Sequence, residues 1–314
     1  MNRPRVLFAG TPEFALASLE TLVAGGMAPI AVLTQPDRPA GRGKKLTASP
    51  VKKYAISAGI PVLQPTTLRN ESVLAELAAL KPDVMIVAAY GLILPQDVLD
   101  LPTHGCLNVH ASLLPRWRGA APIQAAILNA DKTTGISLMS MTAGLDCGPV
   151  FLTEAIDIAC EETAGGLHDR LAALGGRLLS DNLDAILTGK LVAADQDESL
   201  ASYAAKIRTA DALLDWSLSA EEIGRSVRAY NPAPGAWFML GDERVKCWRA
   251  TVADTTVDAT GAAAGTVLSA DHEGIVIACG RGAISLTTLQ RPGKSPVSAR
   301  EFAATTELRG RSLA

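Results

Sequence analysis

Over its first half the chain alternates short apolar runs with helical stretches, and that alternation restricts the fold more than any other feature. Arg5–Ala9, Ile30–Thr34, Pro61–Leu63, Val84–Ala89, Gly105–His110, Gly135–Met141 and Val150–Ile158 read as strands. Helices are expected from Pro12 to about Ala24, over Asn70–Leu80 and over Ala121–Asn129. Thr11 reads as the N-cap of the first, with Pro12 at its first helical position, where a missing N–H costs nothing. Strands interleaved with helices imply an α/β fold with a mostly parallel sheet and right-handed crossovers. Ligands of such sheets bind beyond the carboxyl ends of the strands.

The pattern changes in the second half. A long helix is expected over Leu167–Leu187, followed by a polar link, Asp195-Gln-Asp-Glu-Ser199. Ser219-Ala-Glu-Glu222 is a capping box that opens a helix to about Tyr230. Beyond it, Trp237–Leu240, Arg244–Trp248, Gly265–Leu268, Ile275–Ala278 and Ile284–Leu289 are short runs rich in Val, Ile and Thr, separated by glycines. Five such runs with turn signals indicate a small β-barrel or sandwich. The expected division is an α/β domain over residues 1–189, a linker over 190–208 and a β-barrel domain over 209–314. With 314 residues, 48% of them hydrophobic, the chain can fill two cores. Aromatics make up only 4%, so those cores must rest on Leu, Val, Ile and Ala.

Several functional classes are disfavoured. The longest apolar runs are far too short to cross a bilayer, and Met-Asn-Arg-Pro-Arg leads directly into a strand without a signal-peptide layout. The reading is a cytoplasmic protein with no membrane partner. Five scattered cysteines without a C-x-x-C pair, beside four histidines, argue against a metal site and a disulfide framework. The turn after the first strand, Ala9-Gly10-Thr11-Pro12-Glu13-Phe14, is not G-x-G-x-x-G, which disfavours a dinucleotide cofactor.

The chemistry concentrates at Asn108-Val-His110-Ala-Ser112-Leu-Leu-Pro115-Arg-Trp-Arg-Gly119. Residues two apart on a strand project to one face, so Asn108 and His110 point together into the space beyond the strand end. Pro115 and Gly119 then break regular structure. Two readings stand: a reactive pair, or a buried pair that satisfies loop backbone groups.

The run from Asn108 to Gln124, followed by Leu145-Asp146-Cys147-Gly148-Pro149, resembles the 10-formyltetrahydrofolate-dependent formyltransferases. A second stretch, Thr34-Gln-Pro-Asp-Arg38-Pro-Ala-Gly-Arg42-Gly-Lys44-Lys45-Leu, resembles the basic loop of the members that act on methionyl-tRNA. The resemblance implies a Rossmann-like catalytic domain and an OB-like β-barrel domain. It implies transfer of a formyl group to the α-amine of methionine on initiator methionyl-tRNA, with 10-formyltetrahydrofolate as co-substrate and no tightly bound cofactor. Asn108, His110 and Asp146 become the catalytic residues. Asn108 would donate to the oxyanion, and His110 would add a second donor with its tautomer and charge set by a neighbouring carboxylate, for which Asp146 is the candidate, either orienting His110 or relaying the proton through water. Ser112, Leu113, Leu114 and Pro115, with Gly91, Leu92, Ile93 and Leu94, would line the folate site; Leu92 and Leu94 fit a core role equally well. Cys147 stands where a small hydroxyl residue is expected in relatives, next to Asp146.

Net charge is −3, which does not announce a nucleic-acid partner, but its distribution does. Residues 38–53 carry six basic side chains and no acidic one. Arg38, Arg42, Lys44 and Lys45 are assigned to tRNA phosphates, Arg42 to the acceptor end, while Lys52 and Lys53 also fit a solvated surface. Residues 281–311 carry six basic side chains against two acidic, a second candidate patch. Trp216, Trp237 and Trp248 read as core rather than stacking platforms. A monomer is expected. Family members that formylate small amines, or hydrolyse the folate, are disfavoured because a small acceptor needs neither the basic loop nor a second domain. A non-catalytic RNA-binding scaffold would have no need of Asn108, His110 and Asp146 together.

Overall fold

The structure of the chain, a computed structural model, describes residues 3–40, 45–253, 261–271 and 274–313. It divides into two compact units. The first runs to Pro122 and continues with Thr133–Asp157 and His168–Ala204; the second gathers Ile123–Lys132, Ile158–Leu167 and the chain from Ala205 onward.

From the amino terminus come β1 (Val6–Gly10), α1 (Glu13–Ala24), β2 (Ala31–Leu33), β3 (Arg38–Ala40), β4 (Lys45–Thr47), α2 (Pro50–Ser57), β5 (Val62–Leu63) and α3 (Glu71–Ala79). They are followed by β6 (Val84–Ala88), α4 (Gln96–Leu99), β7 (Cys106–His110), β8 (Arg118–Gly119), α5 (Pro122–Leu128), β9 (Thr133–Ser140), β10 (Val150–Asp157), α6 (Ala164–Leu187) and β11 (Tyr203–Ala204). Seven strands form one sheet in the order β10-β9-β7-β6-β1-β2-β5. The five from β7 to β5 are parallel, and β9 and β10 are antiparallel additions at one edge. Every residue of β1, β6 and β7 is buried, as parallel strands covered on both faces require. The edge strand β10 instead alternates half-buried and exposed positions over most of its length.

Strand order reverses between β1 and β6, which makes the space beyond their carboxyl ends the switch point of the sheet. Thr11 stitches that point together. Its hydroxyl donates to the Tyr90 carbonyl at 2.9 Å and accepts the Gln35 N–H at 3.3 Å, so the ends of β1, β2 and β6 share one side chain. This corrects the expected capping: α1 begins at Glu13 after Pro12, with no side-chain cap, because the Thr11 hydroxyl is spent on strand ends. Gly10 is needed for close approach. A Cβ there would stand 2.5 Å from Ala15 Cβ and 2.9 Å from the Ala88 carbonyl oxygen. Leu7, Leu33, Leu77, Met85 and Val98 fill one core beside the sheet, each such side chain contributing about 1.5–3 kcal/mol on burial.

The second unit holds α7 (Ala220–Ala229), β12 (Ala236–Leu240), β13 (Glu243–Val252), β14 (Val267–Ala270), β15 (Ile275–Ala278), β16 (Ala283–Gln290), β17 (Val297–Ser298) and α8 (Ala299–Ala304). The capping box forms, with Ser219 and Glu222 each satisfying the other's backbone N–H. The antiparallel path β12-β13-β16-β15-β14, with β17 added to β16, is consistent with an OB-like fold, whose barrel is partly open. Ile223 and Val227 of α7 and Phe302 of α8 pack with Phe238, Val245, Ile277 and Leu286 of the strands. Trp216 and Trp237 belong to this core, and Trp248 is half-buried under the Lys246 ammonium, 5.1 Å from the ring centre.

Cys106, Cys247 and Cys279 are buried; burial pushes the first two thiols up to about 12 and the third to about 11, so they are inert packing groups. No described helix is long and apolar enough to cross a membrane.

Candidate active site

β7 delivers its last residues to the carboxyl edge of the sheet, one strand from the switch point. Asn108 and His110 are 9% and 6% exposed there. The chain then folds back over them in a loop whose polar groups close on themselves. Ser112 Oγ donates to the Arg116 carbonyl at 2.6 Å, and Ser137 Oγ of β9 donates to the Ser112 carbonyl at 2.7 Å while accepting the Leu114 N–H at 3.1 Å. The Ser112 hydroxyl is therefore committed to the loop, and Leu113, Leu114 and Pro115 are the half-buried surface it presents. In the other expected folate segment, Leu94 is buried in the core and Leu92 packs against it, whereas Gly91 and Ile93 are exposed.

Asp146 reaches the same place from the turn between β9 and β10. It has a left-handed backbone, φ +49°, which Asp tolerates better than most residues and which still costs about 1–3 kcal/mol. Its carboxylate is held from two sides. Asn108 Nδ2 donates to Oδ1 at 3.3 Å, and the Gly119 N–H donates to Oδ2 at 2.8 Å. His110 Nδ1 stands 3.7 Å from Oδ2, close enough for charge attraction and too far for a direct hydrogen bond. The three residues singled out from sequence thus form one cluster.

One detail departs from expectation. His110 Nε2 lies 3.0 Å from the Trp117 carbonyl, an acceptor only, so Nε2 carries the proton. The main chain, and not Asp146, sets the tautomer. Nδ1 is then a lone pair in the neutral ring and a donor only in the imidazolium. Trp117 reaches His110 in a left-handed backbone conformation, φ +60°.

Gly119 must be glycine. Its φ is +112°, and a Cβ would lie 2.7 Å from the Ala204 carbonyl oxygen, because β8 pairs there with β11. The linker expected over 190–208 is therefore structured in both halves: Ala194 bridges to Val150, and Tyr203–Ala204 pair with Arg118–Gly119. Arg118, 1% exposed, sits under this segment. Hydrogen bonds to Glu198 push its guanidinium further above its ordinary value, and the same contact holds Glu198 below the usual range. Arg118 and the groups it meets were not singled out from sequence; the loop carries two arginines, Arg116 and Arg118, and nothing in their spacing marks the second as the buried one. Cys147 turns away from the carboxylate, with Sγ 3.5 Å from Thr142 Oγ1.

In the basic stretch, Arg38 is exposed at the start of β3 and Lys45 at the start of β4, at opposite ends of that pair, while Arg42 and Lys44 lie outside the described residues. Arg38 donates to Gln35 Oε1 at 2.8 Å. Lys52 is bound to Asp37 at 2.7 Å, so its charge is spent locally.

Comparison with known proteins agrees with this geometry. The formyl transferase family pattern matches residues 3–183, and the formyl transferase C-terminal domain pattern matches residues 206–307. The chain belongs to the formyl transferase family. Among solved structures, an N-formyltransferase from Helicobacter canadensis in complex with folinic acid and dTDP-3-aminofucose has the same fold, with TM-score 0.67, 19% identity, and coverage of 92% of this chain and 99% of that one. HypX from Aquifex aeolicus in complex with tetrahydrofolic acid gives a TM-score of 0.65 at 16% identity, the match covering 99% of this chain and 49% of HypX. Within the family the chain groups with the methionyl-tRNA formyltransferases. The one from Aromatoleum aromaticum is 53% identical over 298 residues, covering 95% of this chain and 93% of the relative, and the one from Xanthomonas campestris is 54% identical over 299 residues, covering 95% and 96%.

Proposed function

We propose that the chain transfers the formyl group of 10-formyltetrahydrofolate to the α-amino group of methionine on initiator methionyl-tRNA. The observation that carries this reading is the Asn108–His110–Asp146 cluster at the carboxyl edge of a parallel sheet, in a chain half identical to methionyl-tRNA formyltransferases over nearly its whole length. A free α-amine has a pKa near 7.7 to 8.0, so a useful neutral fraction attacks at pH 7. The new C–N bond makes a tetrahedral intermediate whose oxyanion accepts from Asn108 Nδ2, which has a second N–H beyond the one given to Asp146. His110 Nδ1 takes the proton released by the attacking nitrogen. The imidazolium, 3.7 Å from the Asp146 carboxylate, then gives a proton to N10 as the C–N10 bond breaks. The products are the formyl amide and tetrahydrofolate, with no net change in protons.

Folate is placed against Leu113, Leu114, Pro115, Gly91 and Ile93. The acceptor stem is placed along Arg38, Arg42, Lys44 and Lys45. Incubation of the purified protein with 10-formyltetrahydrofolate and methionine-charged initiator tRNA tests the reading, with elongator methionyl-tRNA and glycinamide ribonucleotide in parallel. Formyl transfer confined to the initiator species supports it. Transfer to the small amine alone overturns the substrate.

A further inference from the structure

Resting on that reading, we infer that Gln196, from the segment between the two family-matched regions, is a positioning residue for the Asp146 carboxylate. Its side chain joins two things. Gln196 Nε2 donates to the Asp146 carbonyl at 2.8 Å and to the Gly148 carbonyl at 2.7 Å. Its Oε1 accepts from Arg118 Nε at 3.0 Å and Nη2 at 2.9 Å. A guanidinium has donors only and a carbonyl accepts only, so this surrounding fixes which end of the amide is nitrogen and which is oxygen.

The arrangement spans the cluster. Asp146 holds a left-handed backbone, and the main-chain carbonyls at 146 and 148 both turn inward to a single NH2 group. Without two donors at that point, the turn has nothing on that side to hold those carbonyls together. On the other side, Arg118 adjoins both residues that touch the catalytic side chains: the Trp117 carbonyl accepts from His110 Nε2, and the Gly119 N–H donates to Asp146 Oδ2. Arg118 is itself anchored by two hydrogen bonds to Glu198 at 2.9 and 2.7 Å, and Ser202 accepts the Arg118 N–H at 2.8 Å and the Trp117 N–H at 3.0 Å. Among the described residues, Gln196 is the one side chain that bonds both to the Asp146 turn and to Arg118. It touches no reacting atom in this scheme and acts by setting where the carboxylate sits relative to His110 and Asn108.

The test compares Gln196→Met, which keeps the length and removes the amide, with Gln196→Glu, which keeps an acceptor for Arg118 and replaces the two donors with a carboxylate facing two carbonyls. Both are expected to lower kcat at least tenfold, with KM for tRNA and for the folate within twofold of the parent. Hydrogen exchange supplies a readout that needs no substrate. The Gly119 amide is expected to exchange at least tenfold faster in Gln196→Met, with amides of β6 and β7 unchanged. Parent-like kcat in Gln196→Met overturns the inference. So does recovery of parent kcat in Gln196→Glu, which would leave only an anchor for Arg118. If the parent transfers no formyl group to methionyl-tRNA, the substrate reading fails, and the exchange at Gly119 still decides the role of Gln196.

Discussion

The Gly119 N–H is donated to Asp146 Oδ2 at 2.8 Å, which ties the turn after β9 to the two-residue strand β8. Asn108 fills the other carboxylate oxygen from β7. Asp146→Asn removes the charge facing His110 and turns a donor toward one of these two donors. Turnover is expected to fall by about 10²–10⁴, the range for losing general acid–base assistance. The thermal midpoint should drop by only a few degrees, since one hydrogen bond is worth about 1 kcal/mol. Steady-state kinetics beside a melting curve checks this, and turnover within threefold of the parent would take the carboxylate charge out of the mechanism.

Asn108→Ala removes the donor assigned to the oxyanion. A donor aimed at charge that develops only in the transition state affects kcat and spares KM. The expected loss is about 10²–10³ in kcat. A rise in the folate KM with kcat preserved would instead make Asn108 a ground-state binding residue.

Gly119→Ala places a methyl group 2.7 Å from the Ala204 carbonyl oxygen at a backbone φ of +112°. β8 and β11 must separate or the residue must change conformation, at a cost of about 1–3 kcal/mol. Either movement draws the N–H away from Asp146, so lower stability and lower kcat should appear together. A melting midpoint and a turnover number suffice to check it. Full activity in the substituted protein would show that the N–H has no part in holding the carboxylate.

The strands around the site were legible because burial on both faces leaves continuous apolar runs. Val84–Ala88 and Cys106–His110 fall within two residues of the expected spans. The pairs β3–β4 and β8–β11 were not legible, since Arg38-Pro39-Ala40 and Arg118-Gly119 carry no apolar alternation. Asn108, His110 and Asp146 were found through side chains whose chemistry shows in their names. What fixes His110, the Trp117 carbonyl, belongs to every residue type and leaves no mark in a sequence. Gln196 was missed for the same reason, because its partners are backbone carbonyls some 50 and 48 positions away. Thr11 shows a competing case: its cap signal was real, and three strand ends needing a hydroxyl outweighed it.

Stability in acid should depend on Glu198. The Arg118 guanidinium holds this carboxyl below its ordinary value of 4.5 in the folded chain. A depressed folded pKa means that the unfolded state binds a proton first as pH falls. The contribution is therefore complete above the unfolded pKa and is lost on descending through the folded one. Parent and Glu198→Gln should differ in urea midpoint by a constant amount well above the ordinary carboxyl value of 4.5, and the difference should shrink steadily as pH falls below it. A difference that stays constant down to about pH 3 would show that the pair contributes no charge-linked stability.

The basic loop makes a prediction that separates free charge from spent charge. Each cation that neutralises a tRNA phosphate releases counterions, so its removal lowers the slope of log affinity against log salt by about 0.7–0.9. Arg38→Ala, Arg42→Ala, Lys44→Ala and Lys45→Ala are each expected to reduce the slope by about that much while the folate KM is unchanged. Lys52→Ala should not, although it lies in the same run of positive residues, because its ammonium is 2.7 Å from the Asp37 carboxylate, which also accepts from Gln64. Filter binding of initiator tRNA over a range of potassium chloride concentrations distinguishes the two groups. A slope change for Lys52→Ala equal to that for Lys45→Ala would show that the local pair opens when tRNA binds. Unchanged slopes for all four loop variants would move the phosphate contacts elsewhere, with exposed Lys294, Arg300, Arg309 and Arg311 of the second unit the next residues to substitute.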